Sequence, residues 1–333
     1  MTSEREELAA ALAEAARGDV AELLAEVRRE ARRRAHERLV EAYADALVAA
    51  VLQQPQHAPS STSSSAASPT GGHGETGCYV YAVVSGDGTG VAGMEGIQPG
   101  EDVGVVSLGD ISAIVSIVDV DEMRTEGARL DIADDGWLAR AVRVHERVAC
   151  AAFRSAPTIP MRFGVVHPTR DAVQQLLQEH GDNFRQELQR LEGAAEWGVK
   201  VYADRNRLAA HITAGRDSDG SVAGGGRGYL LRERARRTVD QEIRGFVASK
   251  LDELSGSLAT LARDAAVGPT PAGAGEAPVF SGFYLVAPGD ESRLAETVDG
   301  FTREFGPAGL TAEAAGPWPP YHFTTLRLEA HRA

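Results

Sequence analysis

One short apolar segment, residues 159–166, constrains the fold more than any other part of the chain. Pro160 has no N–H to donate and a fixed φ, so a preceding helix must end before it, and Ile159 is pushed toward extended backbone. The segment holds a single cation, Arg162, which must reach water or meet a carboxylate. We therefore predict a buried or half-buried strand whose Arg162 forms an ion pair, with Glu146 on the preceding helix as the candidate partner. A structural ion pair is a commoner explanation for such a residue than a catalytic arginine.

The charge balance and the cysteine content narrow the class of protein. The 333 residues include 34 basic and 48 acidic side chains, a net charge of −14, which argues against a surface for nucleic acid or for a lipid membrane. Cys78 and Cys150 are too few and too far apart for a disulfide framework or a metal motif, and they fit a reducing compartment. The acidic N-terminus lacks the pattern of a signal peptide, and the apolar run 46–52 is too short to cross a bilayer. We expect a soluble cytoplasmic protein of two or three domains.

The first 77 residues are predicted to lie apart from the folded body. Residues 1–52 have the spacing of helices, and the second of these carries an apolar stripe between Val20 and Val51 opposite a face of interleaved arginine and glutamate. The stripe needs a surface, so we predict a helical hairpin or self-association through these helices. Residues 53–77 are rich in Ser, Pro, Gly and Ala and bury too little to offset their ordering entropy, which predicts a flexible linker.

Residues 78–166 predict a first α+β domain. Its first strand, 78–84, is apolar on both faces, which is typical of a central strand. A hairpin of 103–108 and 111–118 follows, then a polar loop at 119–131, a helix at 134–153 and the strand at 159–166. The order of strand, short connector, two strands, helix and strand indicates a modified ferredoxin-like sheet with a degraded first helix.

Residues 167–333 predict a second α+β domain with a long helix. Thr169 or Asp171 can cap a helix that ends near residue 191. The strand that follows alternates and places Trp197, Val199 and Val201 on one side. The remaining predicted elements are a surface loop at 215–228, the long helix 229–265, a strand 279–286, a helix 291–305, a strand 310–314, a rigid turn 316–321 and a last strand 322–328.

We predict no catalytic, cofactor-binding or metal site. The G-x-G-x-x-G pattern at 88–93 follows a strand, but Gly96, Pro99 and Gly100 leave no room for the helix that a dinucleotide site requires. His145 lies on the apolar stripe of its helix, which favours a hydrogen-bonded core histidine over a catalytic one. Neither a nucleophile elbow nor a metal-spaced set of His or Cys is found.

Five segments resemble, in order, the gas vesicle accessory family GvpL/GvpF: YVYAVV at 79–84, VHERV at 144–148, IPMRFG at 159–164, EWGVKV at 196–201 and GPWPPY at 316–321. We call them the signature segments. The resemblance covers residue 78 to the C-terminus, leaves out the first 77 residues, and departs from the family pattern at 165–167. It implies a two-domain α+β protein with a ferredoxin-like first domain. It also implies a non-enzymatic role in gas vesicle assembly through contact with the hydrophobic shell protein GvpA and other accessory proteins, and leaves open whether the protein stays as a minor component of the wall.

The residues singled out for a structural role or for partner contact share these segments: Arg162, Phe163, Glu146, Trp197, Trp318, Pro319, Pro320 and Tyr321. An alternative from another class is an enzyme or sensor that binds a small molecule on the ferredoxin-like sheet, with Arg162 and His145 in a pocket. A third is a scaffold that acts mainly through its N-terminal helices. A ligand screen beside a pull-down with the shell protein would separate the first two.

Overall fold

The computed structural model describes residues 75–129, 136–214, 226–268 and 277–325. All of them belong to one compact unit, Gln54–Ala333. The predicted N-terminal helices, most of the linker, most of the loop 215–228 and the end of the last predicted strand lie outside the described residues.

The first sheet has the predicted ferredoxin-like order. Its antiparallel strands run β2-β3-β1-β4, and a further short strand, β5, also pairs with β1. In a βαββαβ unit the second and third strands form a hairpin, the first lies beside the third, and the fourth joins the outer side of the first. A single 3₁₀ turn, Thr89–Val91, replaces the first helix, so the degraded helix is confirmed. The strands are β1 (Thr76–Ser85), β2 (Gly104–Leu108), β3 (Ile111–Asp119), β4 (Thr158–Pro160) and β5 (Val166–His167).

The apolar segment 159–166 is not one continuous strand. It contributes to β4 and β5, which both pair with β1 on either side of a turn at residues 163–164. Gly164 has a φ of +90°, a conformation that breaks an extended strand and that glycine adopts most readily. The prediction of an uninterrupted strand was therefore wrong.

Helices flank this sheet. The predicted loop at 119–131 is instead helical over α1 (Val120–Arg129), because the Asp119 carboxylate accepts a hydrogen bond from the Glu122 N–H at 2.9 Å and caps the first turn. Acidic residues that are typical of a loop are also favourable at a helix N-terminus. Helix α2 (Trp137–Ser155) follows, and α3 (Arg170–Leu191) begins at Thr169, whose hydroxyl accepts from the Ala172 N–H at 3.1 Å as predicted.

The second sheet repeats the strand order of the first. Strands β6 (Ala195–Ala203), β7 (Ala262–Val267), β8 (Phe280–Val286) and β9 (Leu310–Trp318) are antiparallel in the order β7-β8-β6-β9. Its connecting helices are α4 (Arg205–Thr213), α5 (Gly226–Ala259) and α6 (Glu291–Phe305).

Three predicted bounds in this half were wrong. The long helix ends at Ala259, and the residues predicted to continue it form β7, which pairs with β8. Strand β9 extends through the first half of the predicted rigid turn to Trp318, because it continues to pair with β6 up to Glu196. The predicted last strand begins instead as a 3₁₀ turn, Tyr321–Phe323. Alanine-rich residues such as those of β7 favour a helix locally, so tertiary pairing overrides their propensity.

The two sheets share apolar packing. The face of α3 that carries Val173, Leu177 and Phe184 packs on the first sheet, and this core also includes Leu285 of β8 and Phe323. A second core lies between the second sheet and helices α5 and α6. Trp197 is packed against this second core together with Val199 and Val201, which confirms the predicted alternation.

Candidate functional site

All five signature segments meet where the two sheets join. We call the residues that make the contacts described below the junction cluster. Its members are Tyr79, Tyr81, His145, Glu146, Phe163, Glu196, Tyr321 and His322.

His145 on α2 forms the centre of the cluster and is fully buried. Its Nε2 lies 3.1 Å from the Met161 carbonyl, which can only accept, so Nε2 carries the proton. Nδ1 therefore accepts from the Tyr79 hydroxyl at 2.8 Å, and that hydroxyl accepts in turn from the Gly164 N–H at 3.1 Å. Burial lowers the pKa of His145 to about 4, so the imidazole is neutral. This is the hydrogen-bonded core histidine that the sequence predicts.

Aromatic rings surround this imidazole. Tyr81 is stacked on it at a centroid distance of 5.7 Å, and Phe163 meets it edge-on at 5.8 Å. The Tyr81 hydroxyl accepts from the Ile97 N–H at 2.9 Å and lies 2.8 Å from the Ser116 hydroxyl. The buried end of each tyrosine is thereby paired, as expected for a tyrosine in a core.

Glu146 does not pair with Arg162. Its carboxylate accepts from the Cys150 thiol at 3.1 Å and from the Tyr321 hydroxyl at 3.2 Å. Arg162 is exposed and has no ion-pair partner among the described residues, so the predicted ion pair was wrong. The reason is the turn between β4 and β5, which points the guanidinium to water while its neighbours Met161 and Phe163 are buried.

Burial raises the pKa of the half-buried Glu146 carboxyl. The hydrogen bonds from Cys150 and Tyr321 act in the opposite direction, and the negative charge of nearby Glu196 adds to the rise. Burial also raises the pKa of the Cys150 thiol, and the Glu146 carboxylate raises it further. This thiol is therefore a hydrogen-bond donor to the carboxylate and not a thiolate nucleophile.

Glu196 connects the second sheet to the C-terminal segment. Its side chain is 3% exposed, and its two oxygens lie 2.8 Å from the His322 N–H and 2.7 Å from His322 Nδ1. The His322 ring stacks on Phe283 with 3.5 Å between centroids. One buried carboxylate thus holds both the backbone and the ring of this residue.

A second buried carboxylate, Glu187 on α3, holds the same segment. It accepts from Arg190 Nε and Nη2, both at 2.9 Å, and from the N–H and hydroxyl of Thr325 at 2.6 and 3.0 Å. Arg190 also donates to the Phe323 carbonyl. Burial raises the pKa of Glu187, but the hydrogen bonds from Arg190 and Thr325 outweigh this and leave the pKa below its usual value.

A close approach of β9 to β6 completes the junction. A Cβ on Gly316 would lie 2.7 Å from the Trp197 ring and 2.9 Å from the Glu196 carbonyl, and the φ of Gly316 is +157°. Only glycine fits against the indole here. The Trp197 Nε1 is buried and has no hydrogen-bond partner among the described residues.

Of the eight residues singled out from the sequence, Arg162 alone is exposed. The others are buried or partly buried: Phe163, Glu146, Trp197, Trp318, Pro319, Pro320 and Tyr321. Of these, Glu146, Phe163 and Tyr321 belong to the junction cluster.

Sequence reasoning missed Glu187, Glu196 and His322. A signal for Glu196 was available, since strand alternation places this acidic residue on the face opposite Trp197. The partners of Glu187 are remote in sequence, at residues 323–325, and no local pattern relates them to it.

The geometry favours a structural network over a reaction centre. The alternative of a small-molecule site needed Arg162 and His145 in one pocket, but His145 is fully buried with both nitrogens hydrogen-bonded and Arg162 is exposed. Within the described ranges, no three His, Cys, Asp or Glu side chains are placed to hold a metal ion. In the same part of the chain, no helix is both long and apolar enough to cross a membrane.

Comparison with known proteins gives consistent results. The model of the family described as gas vesicle synthesis protein GvpL/GvpF matches residues 77–325. The chain is 33% identical over 261 residues to gas vesicle protein L of Streptomyces sp. (strain CB03234), covering 75% of this chain and 94% of that protein. It is 22% identical over 239 residues to gas vesicle protein F1 of Halobacterium salinarum, covering 72% of this chain and 89% of that protein.

Two solved structures share the fold. The crystal structure of the gas vesicle protein GvpF from Anabaena sp. PCC7120 has a TM-score of 0.59 at 18% identity and covers 76% of this chain and 99% of its own. That of GvpF from Microcystis aeruginosa has a TM-score of 0.54 at 16% identity, with 75% and 99% coverage. At these identities the likeness shows the α+β fold alone.

Proposed function

The chain belongs to the GvpL/GvpF family of gas vesicle synthesis proteins, and from this membership we propose that it is an accessory protein that binds the hydrophobic shell protein GvpA during assembly. Other accessory proteins are its further partners in this proposal. The role is non-enzymatic: the protein supplies surfaces, and no bond is made or broken.

The observation that carries the proposal is the convergence of the five signature segments on the junction cluster. The hydrogen bonds of His145 and Glu196, and the bond from Tyr321 to Glu146, join different elements of the protein. What distinguishes the family in sequence is therefore used to hold two sheets together as one platform. Partner binding then belongs to the outer surfaces of that platform.

The chemistry of a shell subunit suits such a platform. A subunit built to face gas exposes apolar surface and strand edges before it joins the wall, and such edges aggregate. A sheet with a free edge can pair with an extended segment by strand addition. The net charge of −14 would keep the resulting complex soluble.

Arg162 is the signature residue best placed for partner contact. It lies in the turn between β4 and β5, and its neighbours Met161 and Phe163 are 6% exposed each and hold the turn in place. A guanidinium presented from a packed turn loses little freedom on binding. We propose that Arg162 contacts a partner and contributes nothing to the core.

Co-purification tests this function. The tagged full-length chain is expressed with GvpA and the remaining gas vesicle proteins, and GvpA recovered with the tag is measured. The wild type should retain GvpA, and Arg162→Ala should retain less at an unchanged melting temperature and should yield fewer vesicles. Arg303→Ala removes another exposed arginine, on α6, and is the matched control. A wild-type sample that recovers no GvpA would contradict the proposal.

A further inference from the structure

The edges of the two sheets differ in whether their outward backbone groups are already occupied. On β2, the Val105 carbonyl accepts from Arg170 Nη2 at 2.5 Å and the Ser107 carbonyl accepts from Gln174 Nε2 at 3.2 Å. Both side chains come from α3. This edge is therefore covered by side chains of the protein itself, a common protection against unwanted strand pairing.

Two further edges are partly covered or very short. On β9, the Thr302 hydroxyl of α6 accepts from the Ala312 N–H at 2.8 Å and donates to the Ala312 carbonyl at 3.0 Å. Strand β4 has only three residues and ends at Pro160, which has no N–H to offer.

Strand β7 combines unpaired backbone groups with an exposed apolar side chain. The Gly268 N–H donates to the Ser281 carbonyl of β8 at 2.9 Å, so the backbone of Gly268 faces its partner strand. Because inward and outward residues alternate in an antiparallel pair, the backbone groups of Val267 and Ala265 face away from β8. The Ala265 N–H is taken by the Asp264 carboxylate at 2.9 Å. The Ala265 carbonyl and both groups of Val267 have no hydrogen-bond partner among the described residues.

The free part of this edge is short and apolar. Its N-terminal half is closed by the irregular register between Ala262 and Asp264 and by Arg263, whose guanidinium donates to the Glu192 carbonyl at 2.8 Å. The side chain of Val267 is 74% exposed, and no other large apolar side chain is exposed in the part of the chain that the structure describes. An isolated apolar side chain is ordinary by itself. Here it coincides with three unpaired backbone groups.

We propose that the free edge of β7 at Ala265–Val267 is where a gas vesicle shell subunit adds an extended, uncharged strand to this protein. The inference rests on the proposed function and assigns the surface of this protein that binds the shell subunit. Two residues of the added strand are enough to satisfy the three unpaired groups. The residue opposite Val267 bonds to both its N–H and its carbonyl, and the residue two positions further along donates its N–H to the Ala265 carbonyl.

Charge favours a shell strand over a second copy of this chain. Pairing of two β7 edges would bring together two chains that each carry a net charge of −14. Repulsion between two chains of the same charge opposes that pairing. An uncharged apolar strand meets no such repulsion and gains from contact with Val267.

Substitutions at Val267 test the inference in the full-length chain. Val267→Pro removes an N–H that faces away from β8 and so spares the existing sheet. Val267→Thr is the matched control because it keeps the N–H and the branched shape. In the co-purification with GvpA, Val267→Pro should lower GvpA recovery about tenfold and Val267→Thr less than about twofold. If the proline variant does not fold, Val267→Lys replaces it, because lysine at an exposed edge opposes strand addition without burial.

The outcomes separate this inference from the proposed function. Wild-type GvpA recovery in both Val267→Pro and Val267→Lys overturns the β7 site and leaves the function standing, whereas no recovery by the wild type overturns both. An equal loss in Val267→Thr shows that side-chain contact, and not strand addition, is responsible. A smaller particle for Val267→Pro in light scattering identifies a second copy as the occupant and overturns the assignment to the shell subunit.

Discussion

The burial of His145 predicts a specific dependence of stability on pH. In the folded protein the pKa of His145 is lowered from 6.5 to about 4 by burial. Between these values the unfolded chain binds a proton at this residue and the folded protein does not. The free energy of unfolding therefore contains a contribution that is fully present above pH 6.5 and is lost as the pH falls to about 4.

The size of this contribution follows from the pKa shift. At 1.36 kcal/mol per pKa unit, a change from 6.5 to about 4 corresponds to about 3 kcal/mol. The hydrogen bonds explain why the folded protein does not accept a second proton on the His145 ring. Nε2 donates to the Met161 carbonyl and Nδ1 accepts from Tyr79, so a proton on Nδ1 would face the Tyr79 hydroxyl proton. Glu146, whose pKa is raised, acts with the opposite sign, because its protonated form is favoured by folding and its contribution is lost as the pH rises.

The assay compares full-length wild type with His145→Gln, which does not titrate, in urea unfolding between pH 7 and pH 4. Groups common to both proteins, including Glu146, cancel in the difference between the two profiles. The free energy of unfolding of the wild type minus that of His145→Gln should fall by about 3 kcal/mol as the pH is lowered from 7 to 4. His180→Gln, a partly exposed histidine on α3, controls for the loss of a surface imidazole and should follow the wild type. Parallel profiles for wild type and His145→Gln would refute the argument that His145 is neutral and buried.

Three substitutions test other parts of the structure, each by denaturant unfolding at neutral pH. Glu187→Gln should cost about 2 kcal/mol, because it weakens charge-assisted hydrogen bonds to Arg190 and to the C-terminal segment; no measurable loss would show that the segment is held elsewhere. Gly316→Ala should cost about 1–3 kcal/mol, since its Cβ would lie 2.7 Å from the Trp197 ring, and a neutral result would show that this approach relaxes freely. Arg162→Ala should change stability by less than about 0.5 kcal/mol because the side chain is exposed; a loss of several kcal/mol would restore the buried ion pair.

Much of the secondary structure could be predicted because its causes are local. Strand β1 is apolar on both faces, and it is central and buried. Thr169 caps α3, as its position before an amphipathic stretch indicates. The misassigned elements are those whose local signal is weak or shared. Helix α1 begins with acidic residues that also suit a loop, and half of the residues of β7 are alanine, which favours a helix.

The sequence by itself indicated the family, the ferredoxin-like order of the first sheet and the place of His145 as a hydrogen-bonded core residue. These follow from periodicity, from motif order and from the cost of an unpaired polar group in a core. Only the tertiary structure decided which hydrogen-bond partner each buried carboxylate has. Glu146 meets Tyr321, 175 positions away, and Arg162 turns to water because Gly164 bends the chain there. Which backbone groups of β2 and β9 are covered was likewise decided by side chains of α3 and α6. Contacts between residues remote in sequence depend on how the elements pack and leave no periodic pattern along the chain.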